Sequence, residues 1–246
     1  MNDKVALVTG GSGGIGTEIC KALAHSGCRV AASWLKNVDD GPGWQSQQKA
    51  AGFDFAIAEG DVSNFDAAAS IVKSVEEQLG PIEILVNCAG ITRDSFLHKM
   101  EQNQWDSVLR VNLDSAFYMT RHVINGMRER NFGRIINISS VNGQRGQIGQ
   151  ANYSAAKAGM HGFTMALALE SARKGVTVNT VSPGYVETSM VTSMREDVVN
   201  EIVKQIPMGR LGQPAEIAWV VTFLADERSG FITGANIAVN GGLYMS

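Results

Sequence analysis

The chain has only three cysteines, Cys20, Cys28 and Cys88, scattered and odd in number. They cannot form a disulfide framework, and reduced, packed thiols are expected. The four histidines are dispersed as well, with no His-x-x-x-His or Cys-x-x-Cys pattern. No catalytic metal is therefore expected. No apolar run approaches the roughly 18 residues of a membrane span, so no membrane partner is expected. The chain enters a strand pattern at once, Lys4-Val5-Ala6-Leu7-Val8, without the shape of a signal peptide. A cytoplasmic location is the corresponding expectation. The formal net charge is −3 and no block of like charge stands out, which argues against nucleic acid. There is no internal repeat and no long Pro/Gly/Ser linker, and 246 residues suit one α/β domain over 1–246.

What the sequence does have is alternation. Short apolar runs at Val5–Thr9, Arg29–Trp34, Asp54–Ala58, Ile82–Asn87, Gly133–Ser139, Val176–Ser182 and Ala235–Asn240 are mostly continuous Val/Ile/Leu/Ala. Strands buried on both faces of a parallel sheet read this way. Between them lie helical patterns at Ile15–Ser26, Asp66–Leu79, Gln104–Met127, Asn152–Lys174, Arg195–Gln205 and Pro214–Ala225. Repeated β-α-β units predict an α/β fold, a doubly wound, Rossmann-type parallel sheet with helices on both faces. Asn37–Gln48 reads as an irregular loop running into a helix. The segment 187–208, polar and Met-containing after a strand end, is the expected mobile, substrate-side part.

Glycine is plentiful at one place that matters. Gly10-Gly11-Ser12-Gly13-Gly14-Ile15-Gly16 follows the first strand and opens the first helix. Glycines there let the backbone approach a pyrophosphate, and the helix start offers free N–H groups. Further along, Tyr153 and Lys157 stand four residues apart, on one helix face. The cation is expected to favour ionisation of the phenol, making Tyr153 a candidate proton donor. Ser140, at a preceding strand end, is placed to hold a substrate oxygen beside it.

The spacing Thr9-Gly-x-x-x-Gly-x-Gly16, with Asn87-Cys88-Ala89-Gly90, Ser140/Tyr153/Lys157 and Pro183-Gly184, resembles the short-chain dehydrogenase/reductase family along the whole chain. One departure is Cys88, where the family usually has Asn. The resemblance implies a nicotinamide cofactor and a catalytic tetrad. Ser140 would bind the substrate carbonyl and Tyr153 would donate the proton. Lys157 would bind the nicotinamide ribose and lower the phenol pKa, and Asn112 would hold a water linking Lys157 to solvent. It further implies cofactor contacts from Gly10, Ser12, Gly13, Gly14, Ile15 and Gly16, from Gly60-Asp61-Val62 at the adenine, and from Asn87, Ala89, Gly90, Ile91 and Thr92. Pro183, Gly184, Val186 and Thr188 would lie on the nicotinamide side.

NAD-selective Rossmann proteins place an acid near the end of the second strand. Here no acid stands at Ser33 or Trp34, and Lys36 follows. NADPH/NADP is the expected cofactor, with Lys36 toward a 2′-phosphate. Asp39 or Asp40 folding back toward the ribose would favour NAD instead.

The segments 90–94, 141–144 and 147–150, and Trp44 through Phe55, are most similar to the acetoacetyl-CoA reductases of polyhydroxybutyrate synthesis. That resemblance implies NADPH-dependent reduction of acetoacetyl-CoA to (R)-3-hydroxybutyryl-CoA, with Asp94, Ser140, Gln147, Gln150, Tyr153, Tyr185 and Arg195 toward the substrate. Two other readings stay open. A 3-oxoacyl-[acyl carrier protein] reductase would need a basic docking patch, for which Arg128, Arg130, Arg173 and Lys174 are candidates. A non-catalytic NADP(H) sensor would be expected to have lost part of the tetrad, which is whole here. The family resemblance also implies a homotetramer, with 104–127 and 152–174 as dimer faces.

Overall fold

Continuous burial along the central strands decides the architecture. In a computed structural model, which describes residue 1 and residues 3–245 apart from the side chain of Met190, seven strands form one parallel sheet among the described residues. They are β1 (Val5–Val8), β2 (Arg29–Trp34), β3 (Ala56–Glu59), β4 (Ile84–Asn87), β5 (Gly133–Ile138), β6 (Val176–Pro183) and β7 (Asn236–Val239), in the order β3-β2-β1-β4-β5-β6-β7. Every position of β1, β4, β5 and β6 is buried, as strands covered on both faces require. The edge strands β3 and β7 are only partly buried.

Successive side chains of a strand face opposite ways. Ala6 and Val8 pack on one side with α1 (Gly14–His25), with Trp44 from α2 (Gly41–Ala50), and with Ile217 and Leu224 of a later helix. Val5 and Leu7 pack on the other with α3 (Phe65–Leu79) and with Met119, Met127 and Ala168. Those last three belong to α5 (Ser115–Arg130), which follows α4 (Gln102–Leu109), and to α7 (Ala151–Ser171), which follows the short α6 (Asn142–Arg145). After β6 come α8 (Ser189–Thr192), α9 (Glu196–Gln205) and α10 (Pro214–Ala225), the helix that carries Ile217 and Leu224.

Several expected elements differ in extent. The pattern over Gln104–Met127 is not one helix: a π-helical turn, Arg110–Asp114, separates α4 from α5. Apolar periodicity does not register one extra residue in a turn. The strand expected from Asp54 begins at Ala56, and the one from Ile82 begins at Ile84. Segment 187–208 holds α8 and α9.

Candidate active site

Every loop expected to touch a ligand leaves the sheet at the carboxyl ends of its strands. The strand order reverses between β1 and β4, and in open α/β sheets this crevice is where ligands bind. Thr9 locks it: its Oγ1 accepts the N–H groups of Cys88 at 3.0 Å and Ala89 at 3.1 Å. Thr9 opens the spacing read from sequence, but its locking role was not legible there, because its partners lie 79 and 80 residues away.

The glycine turn sits beside this lock. Gly10 adopts φ +61°, a left-handed conformation that glycine accepts freely. A Cβ on Gly16 would lie 2.2 Å from the Gly10 carbonyl oxygen, so only glycine lets α1 start this close to the turn. Gly13 and Gly14 open the helix ahead of Ile15. The Ser12 hydroxyl is buried without a hydrogen-bond partner. Free N–H groups at a helix start, a cradle that any side chain would fill and an unpartnered hydroxyl fit a pyrophosphate. Thr188 packs on the same turn, its Cγ2 3.2 Å from where a Gly14 Cβ would stand.

At the end of β2, Ser33 Oγ accepts the Gly10 N–H at 3.3 Å. Lys36 is exposed. Asp39 does fold back, its Oδ2 accepting the Leu35 N–H at 3.2 Å, while Asp40 caps α2 through the Gly43 N–H. Past β3, Gly60 donates to the Trp34 carbonyl, Asp61 holds an Asx turn to Ser63, and Val62 is buried. Asn87 lies in a buried polar chain. Its Nδ2 donates to Asn137 Oδ1 at 2.8 Å, and Asn137 Nδ2 donates to Thr164 Oγ1 at 2.8 Å. This chain ties β4 and β5 to α7. Pro183, Gly184 and Val186 are pinned by backbone hydrogen bonds and a bridge to Val141, Val239 and Gly212.

α7 carries Tyr153 and Lys157 one turn apart, and Ser139 anchors it by donating to the Lys157 carbonyl at 2.9 Å. Ser140 hydrogen-bonds the Tyr153 hydroxyl, which pulls the phenol pKa down, but burial is the larger influence and holds it up, to about 12. Lys157 is 3% exposed. Its Nζ donates to the Ile138 carbonyl at 2.8 Å, and burial lowers its pKa to about 8. The expected depression of the phenol by its lysine neighbour is thus not what this arrangement produces. The ammonium is turned to a backbone carbonyl and stands 5.6 Å from the phenol ring centre.

Asn112 sits in the π-helical turn. Its Nδ2 donates to the carbonyls of Ile91 at 2.8 Å and Val108 at 2.9 Å. Both partners only accept, so the amide cannot reverse, and Oδ1 is buried with no partner. That oxygen and Lys157 Nζ both border Gly90. An unpartnered acceptor next to the lysine is a site a water can fill.

Of the residues expected at the substrate, Asp94 and Gln150 meet: Gln150 Nε2 donates to Asp94 Oδ2 at 2.9 Å. Thr92 is half-buried beside them in sequence, and Gln147 is exposed in the loop before α7. Tyr185 lines a pocket of about 530 Å³ with Pro207, Met208, Arg210 and Gly241, and neither Ser140 nor Tyr153 borders it. Arg195, just before α9, is exposed and turned onto Asp197 in the first turn of that helix. Among the described residues no cluster of His, Cys, Asp or Glu could hold a metal, and no helix is long and apolar enough to cross a membrane. All three thiols are free, and burial pushes each above its ordinary pKa.

Residues 4–199 match the family model described as short chain dehydrogenase. The chain is 61% identical over 243 residues to an acetoacetyl-CoA reductase of Allochromatium vinosum, covering 98% of this chain and 99% of that one. It is 54% identical over 245 residues to an acetoacetyl-CoA reductase of Cupriavidus necator, covering both chains in full. It is 42% identical over 245 residues to a 3-oxoacyl-[acyl-carrier-protein] reductase of Vibrio cholerae, covering 100% of this chain and 99% of that one. With a nucleotide crevice at the strand reversal and a family match over most of its length, this chain belongs to the short-chain dehydrogenases, nicotinamide-dependent oxidoreductases.

Proposed function

We infer that the protein reduces acetoacetyl-CoA to (R)-3-hydroxybutyryl-CoA with NADPH. The observation that carries this reading is the hydroxyl pair Ser140–Tyr153 beside Lys157, in a chain 61% identical to an acetoacetyl-CoA reductase. The reduced nicotinamide, when bound, supplies the hydride. Ser140 hydrogen-bonds the ketone oxygen and draws electron density from the carbonyl carbon. The Tyr153 phenol gives its proton to that oxygen as the alcohol forms. A positioned acid of this kind is worth about 10²–10⁴ in rate. Lys157, with its pKa lowered to about 8, releases a proton to the phenolate near neutral pH and regains one through water held at Asn112 Oδ1. Ser12, the glycine turn and Thr188 hold the cofactor.

NADPH over NADH is supported by the absence of an acid at Ser33 and Trp34 and by the exposed Lys36. A CoA rather than a carrier-protein thioester is supported by the relatives' identities, 61% and 54% to acetoacetyl-CoA reductases against 42% to a 3-oxoacyl-[acyl-carrier-protein] reductase. Phe117, Met165 and Leu169 leave an exposed apolar face on α5 and α7, which supports assembly into a homotetramer. Ile206, Pro207 and Met208, at the end of segment 187–208, line the pocket that Tyr185 borders, and this segment would close on the thioester. The deciding experiment is a steady-state comparison of acetoacetyl-CoA with acetoacetyl-carrier protein, each with NADPH and NADH. A kcat/KM highest for acetoacetyl-CoA with NADPH is expected. A large preference for the carrier form would overturn the substrate assignment.

A further inference from the structure

Asn142 is 8% exposed, on the short helix after Ser140. Its backbone N–H donates to Ser140 Oγ at 3.1 Å. Its side-chain Nδ2 donates to Gln150 Oε1 at 2.9 Å, and Gln150 Nε2 donates to Asp94 Oδ2 at 2.9 Å. Three segments meet here. Gln150 is the residue before α7, three positions ahead of Tyr153. Asp94 lies on the loop after β4, docked on that helix start by the Ser95 N–H to Gly149 carbonyl bond at 2.8 Å. Asn152 clamps the same loop, donating to the Arg93 carbonyl at 3.0 Å.

Amides have two ends, and nothing in Gln150 or Asn142 alone fixes which end points where. A carboxylate does. Asp94 only accepts, so Gln150 must turn its NH₂ toward it. Gln150 then offers its oxygen to Asn142, which must answer with its own NH₂. Asn142 Oδ1 is left buried without a partner, the mark of an amide whose direction is imposed from outside.

We propose that Asp94, acting through Gln150, sets the direction of the Asn142 amide and so holds Ser140 in place, making Asn142 a positioning residue for the carbonyl-binding hydroxyl. This rests on the role given to Ser140 under the proposed reaction. The Asn142 N–H occupies one lone pair of Ser140 Oγ, and the Ser140 proton stays aimed at the Tyr153 hydroxyl and the ketone oxygen. An exposed acid thereby reaches the reacting atoms through two neutral amides.

The relay makes a prediction that a merely structural contact does not. Asn142→Asp puts an acceptor against the Gln150 oxygen, and Gln150 cannot turn round while Asp94 is a carboxylate. Asp94→Asn removes that veto. In the double variant the whole chain reverses: the introduced amide at 94 donates to Gln150, and Gln150 donates to the introduced carboxylate at 142. Misplacing a reacting group by about 1 Å can cost about 10²-fold. Asn142→Asp is therefore expected to lower kcat about 10–100-fold with the cofactor Kd unchanged, Asp94→Asn to lower it only a few-fold, and the double variant to recover most of the Asn142→Asp loss. Deuterium uptake of the peptide spanning 139–146, read by mass spectrometry without substrate, should rise in Asn142→Asp and return toward wild type in the double variant. Losses that multiply in the double variant, or uptake that does not recover, would overturn the relay. Failure of the wild type to reduce acetoacetyl-CoA would overturn the substrate reading instead, and the uptake series alone would then decide the relay.

Discussion

Asn112 and Lys157 flank Gly90, the last residue of the β4 turn. A Cβ there would stand 2.6 Å from Asn112 Oδ1 and 3.4 Å from Lys157 Nζ. The Asn112 amide is held by two carbonyls and cannot retreat, so in Gly90→Ala the turn itself must shift. Overpacking of this kind costs about 1–3 kcal/mol. The expected outcome is a lower Tm, weaker NADPH binding and a fall in kcat, read by thermal melts, fluorescence titration and steady-state kinetics.

Tyr153→Phe removes one oxygen and leaves the ring and its packing. Turnover is expected to fall by about 10²–10⁴, while NADPH still binds, because the glycine turn, Ser12 and Thr188 are untouched. Fluorescence titration beside an absorbance assay separates the two quantities. Near-normal turnover would remove Tyr153 from the acid role.

Burial of Lys157 has a cost that pH exposes. Its folded pKa, about 8, lies below the ordinary 10.5. Below pH 8 the lysine is charged in both states and the full desolvation penalty acts on the folded one. Between pH 8 and 10.5 the unfolded chain binds the extra proton, so stability from this group rises with pH. Lys157→Met is therefore expected to be inactive yet more stable than wild type at neutral pH. The gain is about 1–3 kcal/mol, reduced by the donor the Ile138 carbonyl loses. The gap should close as pH climbs toward 10.5. Tm series of the two cofactor-free proteins from pH 6 to about 10 check the sign. A gap that widens with pH would contradict it.

Much of this was legible from local pattern. β2 and α10 have the bounds the sequence predicts, the latter because Pro214 marks a helix start and Gln213 and Glu216 form a capping box. The glycine turn and the Tyr153/Lys157 spacing were readable because their physics is local too. What was hidden depends on distant partners. The lock at Thr9, the Asn137–Thr164 link from an apolar-looking strand to α7, and the Asp94–Gln150 bond of the relay join residues 27 to 80 positions apart. The π-helical turn at Asn112 was invisible to periodicity. The behaviour of the phenol was misjudged for a related reason. The i,i+4 rule places Lys157 near Tyr153 but does not reveal that Ile138 claims the ammonium.

Under the proposed NADPH reading, cofactor selectivity would turn on two charges after β2. Lys36 is exposed and unopposed by an acid at Ser33 or Trp34. Asp39 curls back, and one of its carboxylate oxygens is engaged by the Leu35 N–H, so its charge stands close to the strand end. A 2′-phosphate would be attracted by the lysine and repelled by the aspartate. Replacing each in turn separates the effects. Lys36→Glu should raise the KM for NADPH far more than for NADH, because only NADPH carries the phosphate. Asp39→Asn should lower the KM for NADPH and leave that for NADH nearly unchanged, since the amide oxygen still accepts from Leu35. At partly exposed sites such charge terms are modest, of order 1 kcal/mol or about fivefold in KM, and added salt should shrink them. Equal changes for both cofactors in Lys36→Glu would place the selectivity elsewhere in the crevice. A rise in the NADH constant alone in Asp39→Asn would mean that the aspartate grips a ribose hydroxyl, the arrangement of an NAD enzyme.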